Sequence, residues 1–192
     1  MVLVRKTVFE EMPKTFKIGD ELVFNTNSFG VVSATCQKVD DNTALFICDD
    51  CVAEMYMNKN NSNTGGFEQS DLKDWLENNF IPELPSFIRN HLIKLSIPTY
   101  GMIFGHDNLL YENLEPDNDE QLPLMKSRKC RIAYFKEESE WWWLQNATKQ
   151  SVSSVYFAGV RLNGLINDYL ANDYNADTDL GVRPYFVISI DK

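Results

Sequence analysis

Apolar and polar positions alternate in short blocks at the start of the chain and shift to a wider spacing only later. Leu22-Val23-Phe24, Gly30-Val31-Val32-Ser33-Ala34-Thr35-Cys36 and Ala44-Leu45-Phe46-Ile47-Cys48 are separated by Asn25-Thr26-Asn27-Ser28 and Asp40-Asp41-Asn42. Strand-forming blocks divided by turn-forming ones predict an antiparallel meander. The polar stretch 58–66 has too little apolar content to pack and is expected to be a surface loop. Beyond it the period changes: Leu72, Trp75, Leu76 and Phe80 fall on one face of a helix. Ser70 precedes that helix as its cap, and Asp71 and Asp74 sit in the first turn, where negative charge suits the helix dipole. A second helix is predicted over 85–95, with Phe87, Ile88, His91, Leu92 and Leu95 on one side and Pro98 beyond its end.

From Ser96 to Ser139 the periodicity fades around Gly101, Gly105, Pro116 and Pro123, which predicts a long irregular excursion. Such loops are uncommon in compact domains and often bind. It contains the acidic run 115–120 and the basic cluster Lys126, Arg128, Lys129 and Arg131. The cluster either anchors its acidic neighbours, the simpler reading, or touches an anionic ligand. Strand character returns at 141–144, 152–157 and 185–190, with the polar stretch 167–179 before the last strand. Strands, a helix pair, a long loop and terminal strands make an α+β order in which distant strands must pair.

The chain of 192 residues is 44% apolar and 12% aromatic, enough for one sizeable core, so a single domain over 1–192 is expected. The longest apolar runs fall far short of the ~20 residues that a membrane span needs. Met1-Val2-Leu3-Val4 is followed at once by Arg5-Lys6, which does not read as a secretory signal, so the product is expected to stay in the cytoplasm or in a particle assembled there. Eighteen Lys and Arg against 28 Asp and Glu give a formal charge of −10, which disfavours direct nucleic-acid binding. The same charge either keeps the protein soluble or forms an acidic face for a basic partner.

Candidate chemistry is sparse. Cys48-Asp49-Asp50-Cys51 has the two-residue gap of zinc and redox sites, but a structural zinc site normally takes four ligands, and His91 and His106 lie far away in sequence. Asp49 and Asp50 should raise rather than lower the thiol pKa values, so reduced structural thiols are expected. His91, on an apolar face, reads as a partly buried, satisfied histidine. No phosphate loop, dinucleotide fingerprint, nucleophile elbow or zinc-protease helix is present.

Five short motifs, in order, resemble a large family common in Firmicutes and their prophages. They are Lys17-Ile18-Gly19-Asp20, the segment Ser70 to Phe80, Pro98-Thr99 with Phe104-Gly105, Trp142-Trp143-Leu144-Gln145-Asn146, and Gly181-Val182-Arg183-Pro184. The resemblance spans residues 17–190 and implies a C-type-lectin-like fold, similar to formylglycine-generating enzyme and to the variable proteins of diversity-generating retroelements. The family's usual arginine is replaced at Gln145-Asn146, so any ligand contact it makes elsewhere is in doubt here. Formylglycine-generating enzymes use late cysteines, whereas Cys130 is the sole cysteine of the second half. Arg183 reads most simply as a buried partner for a carboxylate or for backbone carbonyls.

In retroelement variable proteins the surface near the final strands is the one diversified for binding, which the resemblance carries onto residues 146–179. There Tyr156, Arg161, Asn163, Asn167, Asp168, Tyr169, Asn172, Asp173 and Tyr174 have the Tyr- and Asn-rich chemistry of binding loops. Asp173, Asn175, Asp177 and Asp179 alternate as calcium ligands do, although Thr178 and Pro184 stand where an EF-hand wants Gly and Glu. Otherwise no cofactor is expected. The expected function is a non-enzymatic binding module, phage or prophage encoded, that meets a protein or a surface glycan. The alternatives are an acidic intracellular inhibitor of a nucleic-acid enzyme such as a CRISPR nuclease, acting through Asp117, Asp119 and Glu120, and a virion structural component.

Overall fold

A computed structural model describes residues 8–107, 109–166 and 175–190. The meander forms as the turn signals dictate. Strand β1 (Glu21–Asn25) pairs antiparallel with β2 (Val31–Val39), which pairs antiparallel with β3 (Thr43–Cys48). The chain then makes the short strand β4 (Ala53–Met55) and helix α1 (Asp71–Trp75), whose last turn widens into a π-helical turn over Leu76–Phe80. Ser70 caps α1 as expected, its hydroxyl accepting from the Lys73 amide at 3.0 Å and donating to the Phe67 carbonyl at 2.8 Å.

The predicted second helix is replaced by two elements, the single turn α2 (Ser86–Arg89) and strand β5 (Leu92–Ser96). The reason is a β-bulge. Val187 pairs with Lys94 and Ile188 with Leu92, so Ile93 is an extra residue in the register. Leu92 and Leu95 therefore both face inward although they are three apart, which in sequence imitates helical spacing.

Further along lie α3 (Tyr100–Phe104), α4 (Arg128–Arg131), the hairpin of β6 (Ala133–Phe135) and β7 (Glu138–Glu140), and then β8 (Trp142–Ala147), β9 (Phe157–Val160), β10 (Leu180–Val182) and β11 (Tyr185–Ser189). The strand expected over 152–157 is thus displaced: residues up to 155 form a turn in which Val152 is exposed, and the strand starts at Phe157. The order in the larger sheet is β1-β2-β3-β11-β5, and in the second sheet β4-β10-β8-β9. The pairings are antiparallel except for β10 with β8, and helices are few and short, so the architecture is mixed α/β with mostly antiparallel sheets. Among the described residues no helix is long and apolar enough to cross a membrane.

Two apolar clusters lie on opposite faces of the larger sheet. Phe24, Ala34, Phe46 and Phe186 face the cluster that contains α1, while Ile47 and Tyr185 face a second one built from α3 and the segment around Leu114, Leu122 and Met125. Strand β8 feeds both, because successive side chains of a strand point to opposite faces. Trp143 enters the first cluster, donating its indole N–H to the Met55 carbonyl at 2.8 Å. Trp142 and Leu144 enter the second, the Trp142 indole donating to the Arg131 carbonyl at 3.0 Å. Residues 96–139, expected to be irregular, are thus a core-bearing segment. Their periodicity is lost because short turns, not long elements, present Tyr100, Ile103, Leu122 and Met125 to the interior.

Replacing Ser70 by Ala removes both hydroxyl hydrogen bonds in a buried position and is expected to destabilise the protein by ~1–2 kcal/mol, readable as a lower urea midpoint at unchanged slope.

Candidate functional site

The loop between β8 and β9 is held by a residue of the polar stretch 58–66. Asn63 is 2% exposed. Its Nδ2 lies 3.0–3.1 Å from the Thr148 carbonyl and hydroxyl, the Ser153 carbonyl and the Tyr156 carbonyl, and its Oδ1 accepts from Gln150. The neighbouring Asn58, also buried, donates to the Ser62 carbonyl at 2.6 Å and accepts from the Asp71 amide at 3.0 Å. The stretch 58–66 is a surface loop as expected, with Lys59, Asn60, Thr64 and Gly65 exposed, but its two buried carboxamides supply the hydrogen bonds that packed backbone needs.

The residues expected to bind separate into three groups. Tyr156 is half-buried and its backbone bridges to Asn175, so it helps to shape the loops more than it projects from them. Arg161 is half-buried and Asn163 is exposed, its Oδ1 accepting from the Leu165 amide at 3.1 Å. Asn167, Asp168, Tyr169, Asn172, Asp173 and Tyr174 lie outside the described residues.

The turn that carries Asn163 is tight and apolar at its corners. The Arg161 amide donates to the Leu165 carbonyl and the Gly164 amide to the Arg161 carbonyl, both at 2.8 Å. Gly164 sits at φ +74°, and a Cβ there would lie 2.5 Å from the Arg128 carbonyl and 3.2 Å from Ile132, so the turn rests directly on α4. Leu162 (42% exposed) and Leu165 (37%) are left facing outward on this turn. Sequence reading passed over both leucines, although apolar residues flanking the turn signal Asn163-Gly164 are its visible trace.

The acidic run is used differently from the expectation. Asp117, its side chain 10% exposed, accepts from the Gly101 amide at 3.1 Å, Asn146 Nδ2 at 2.9 Å and the Asp119 amide at 3.0 Å, and pairs with His106 at 3.0 Å. Asp119 accepts from the Thr99 hydroxyl at 2.8 Å. Asp117 thus fastens the stretch around Gly101 and His106 to Asn146 of β8, whereas Asp119, tied back to Thr99, remains exposed, as does Glu120. Asn146 is the centre of this knot, since its Oδ1 also accepts from the Tyr100 amide at 2.6 Å.

The carboxyl of Asp117 is held below its ordinary value. Burial alone would raise it, but the bonds from His106, Asn146 and the two amides outweigh burial. With its acidic neighbours so engaged, the basic cluster does not anchor them. Among the described residues no carboxylate forms an ion pair with Lys126, Arg128, Lys129 or Arg131, and Arg131 stacks over Phe104 at 4.9 Å.

Arg183 is 4% exposed and behaves as the sequence suggested, as a donor to carbonyls. Its Nε donates to Cys48 O at 2.7 Å and its Nη2 to Cys130 O at 3.1 Å, with the guanidinium 4.9 Å over the Trp142 ring. Burial pulls its pKa down from the usual arginine range. Beside it, burial pushes Cys51 up to about 12 and Cys48 further still, with the Asp49 carboxylate adding to the rise at Cys48. Burial likewise raises Cys36 to about 11. Cys36, Cys48, Cys51 and Cys130 are all free thiols.

For calcium, Asn175 is half-buried, Asp177 and Asp179 are exposed, and Asp173 lies outside the described residues. Among the described residues no group of three or more His, Cys, Asp or Glu is placed to hold a metal ion. His91 is half-buried with Nδ1 2.8 Å from the Phe87 carbonyl, as expected of a satisfied histidine. Comparisons with protein-family models, with curated proteins and with solved structures find no match.

Because the folded pKa of Asp117 lies below its unfolded value, its contribution is fully present above the ordinary value of 3.8 and is lost as pH falls through the folded one. Asp117→Asn is expected to cost ~1–3 kcal/mol at pH 7. In urea unfolding at a series of pH values, the gap to the wild type should narrow below pH ~4.

Proposed function

We propose that this protein is a non-enzymatic binding module of C-type-lectin-like fold, phage or prophage encoded, that recognises a protein or a surface glycan through the face made by the 161–165 turn and α4. The observation that carries this reading is the pair Leu162 and Leu165, exposed at the corners of a turn clamped onto α4. A rigid turn loses little conformational freedom on binding, and exposed apolar side chains on it suit a partner with apolar anchors. The ordered motifs in residues 17–190 support the lectin-like assignment, as does the position of the turn, which follows β9 among the late strands.

The reading as an acidic inhibitor of a nucleic-acid enzyme draws on the net charge of −10, but Asp117, one of its three carboxylates, is engaged internally, and Asp119 is tied to Thr99. The face at the 161–165 turn is therefore preferred.

The test is retention of partners from host lysate, and of whole cells or envelope glycans, by the wild type and by a Leu162→Glu, Leu165→Glu variant at low and high salt. A binding face centred on these leucines predicts retention that survives high salt and weakens by at least ~30-fold in the variant, the effect of losing ~2 kcal/mol at a hot spot. Retention unchanged in the variant, but lost at high salt and on charge reversal of Glu120, would favour the acidic inhibitor instead.

A further inference from the structure

Strand β2 carries a second bulge, and it places an unusual residue inside. Cys36 pairs with Phe46 and Lys38 with Leu45, which leaves Gln37 as the extra residue, turned inward and only 2% exposed. Its Nε2 donates to the Thr35 carbonyl at 3.3 Å, which fixes Oε1 as the free end. Among the described residues Oε1 has no hydrogen-bond partner, and neither does Nη1 of Arg183. A buried polar atom without a partner costs free energy that a native fold normally avoids, and here two such atoms, one acceptor and one donor, belong to residues that line the same pocket.

That pocket has a volume of about 190 Å³ and is also lined by Asp49, Met125, Lys129 and Cys130. It exceeds the ~30 Å³ share of a single water several-fold. The Asp49 carboxylate accepts from the Ser33 and Thr35 hydroxyls, which occupies its oxygens but leaves its charge in place, while Lys129 at α4 makes no ion pair with a described residue. The open capacity of the pocket is therefore a guanidinium N–H₂, an ammonium and one amide oxygen.

We propose that this pocket binds a small oxyanion that also carries an O–H donor. The anionic oxygens would bridge Arg183 Nη1 and Lys129 Nζ, and the hydroxyl would donate to Gln37 Oε1. A guanidinium with two of its nitrogens already tied to carbonyls presents the third in a fixed direction, which suits a phosphate or carboxylate oxygen. The site is separate from the Leu162 and Leu165 face, which lies across α4, so it stands whether or not that face meets a partner.

Two probes share the chemistry and come from different sources, inorganic phosphate and glycolate; sodium chloride at matched ionic strength is the control. For the wild type, a probe that binds should raise the melting temperature saturably, by roughly 3 °C at about ten times its Kd. It should also slow alkylation of Cys130, the half-buried thiol at the pocket, as read by peptide mass spectrometry. Lys129→Gln, at an exposed position, and the near-isosteric Gln37→Met should each weaken the saturable component about tenfold while leaving Arg183 in place. Saturation by phosphate alone or by glycolate alone identifies which oxyanion the pocket prefers. A non-saturating rise equal in both variants would be the general salting effect of phosphate and would overturn the proposal, as would no response to either probe.

Discussion

A buried guanidinium is the constraint to which much of the molecule is fitted. Placing Arg183 inside costs several kcal/mol of lost hydration unless its hydrogens and its charge are met. The chain meets Nε and Nη2 with the carbonyls at the end of β3 and within α4, and the charge with the face of Trp142 and the nearby carboxylates of Asp49 and Asp50, while Nη1 is left over. Those partners come from three separate stretches of sequence, 48–50, Cys130 and Trp142. Satisfying one side chain therefore fixes the larger sheet, the second sheet and the segment that contains α4 relative to one another.

Around that point the close approach of strands explains the glycine two residues before Arg183. A Cβ at Gly181 would sit 2.5 Å from Cys51 Sγ and 2.9 Å from the Trp141 carbonyl, so β10 can pair with both β4 and β8 only with glycine there. The two adjacent tryptophans then divide between the apolar clusters, and their indole N–H groups are satisfied by carbonyls of separate segments. Aromatic bulk alone would fill these clusters; the indole bonds specify which side each ring takes.

Much of this fold was legible. The meander, the Ser70 cap, the final strand and the carbonyl-binding role of Arg183 follow from turn chemistry, capping and burial of charge, which act locally. The elements misread share one cause, that a tertiary irregularity imitated another period. Bulging at Ile93 gave β5 helical spacing, and Val152, which extended an apolar block, belongs to a turn held by Asn63. The candidate site was less legible. Asn63, Asn146 and Gln37 are buried polar residues whose partners are 29 to 93 positions away or lie at a bulge, and no pattern within a short window reveals them. Asp117 looked like solvated charge because its four partners are likewise invisible without the fold.

The position of β11 in the larger sheet bears on how the chain reaches this state. It lies between β3 and β5, and it is made after both of them during synthesis. Until it arrives, the inner edge of β3, with Phe46 and Ile47 upon it, has no backbone partner, and neither has β5. Pairing across some 140 residues, Ile47 with Tyr185, also closes a very large loop, on the order expected to slow folding considerably. A ribosome-bound chain would thus carry an adhesive strand edge for most of its synthesis, which makes this protein a natural client for chaperones that shield unpaired strands.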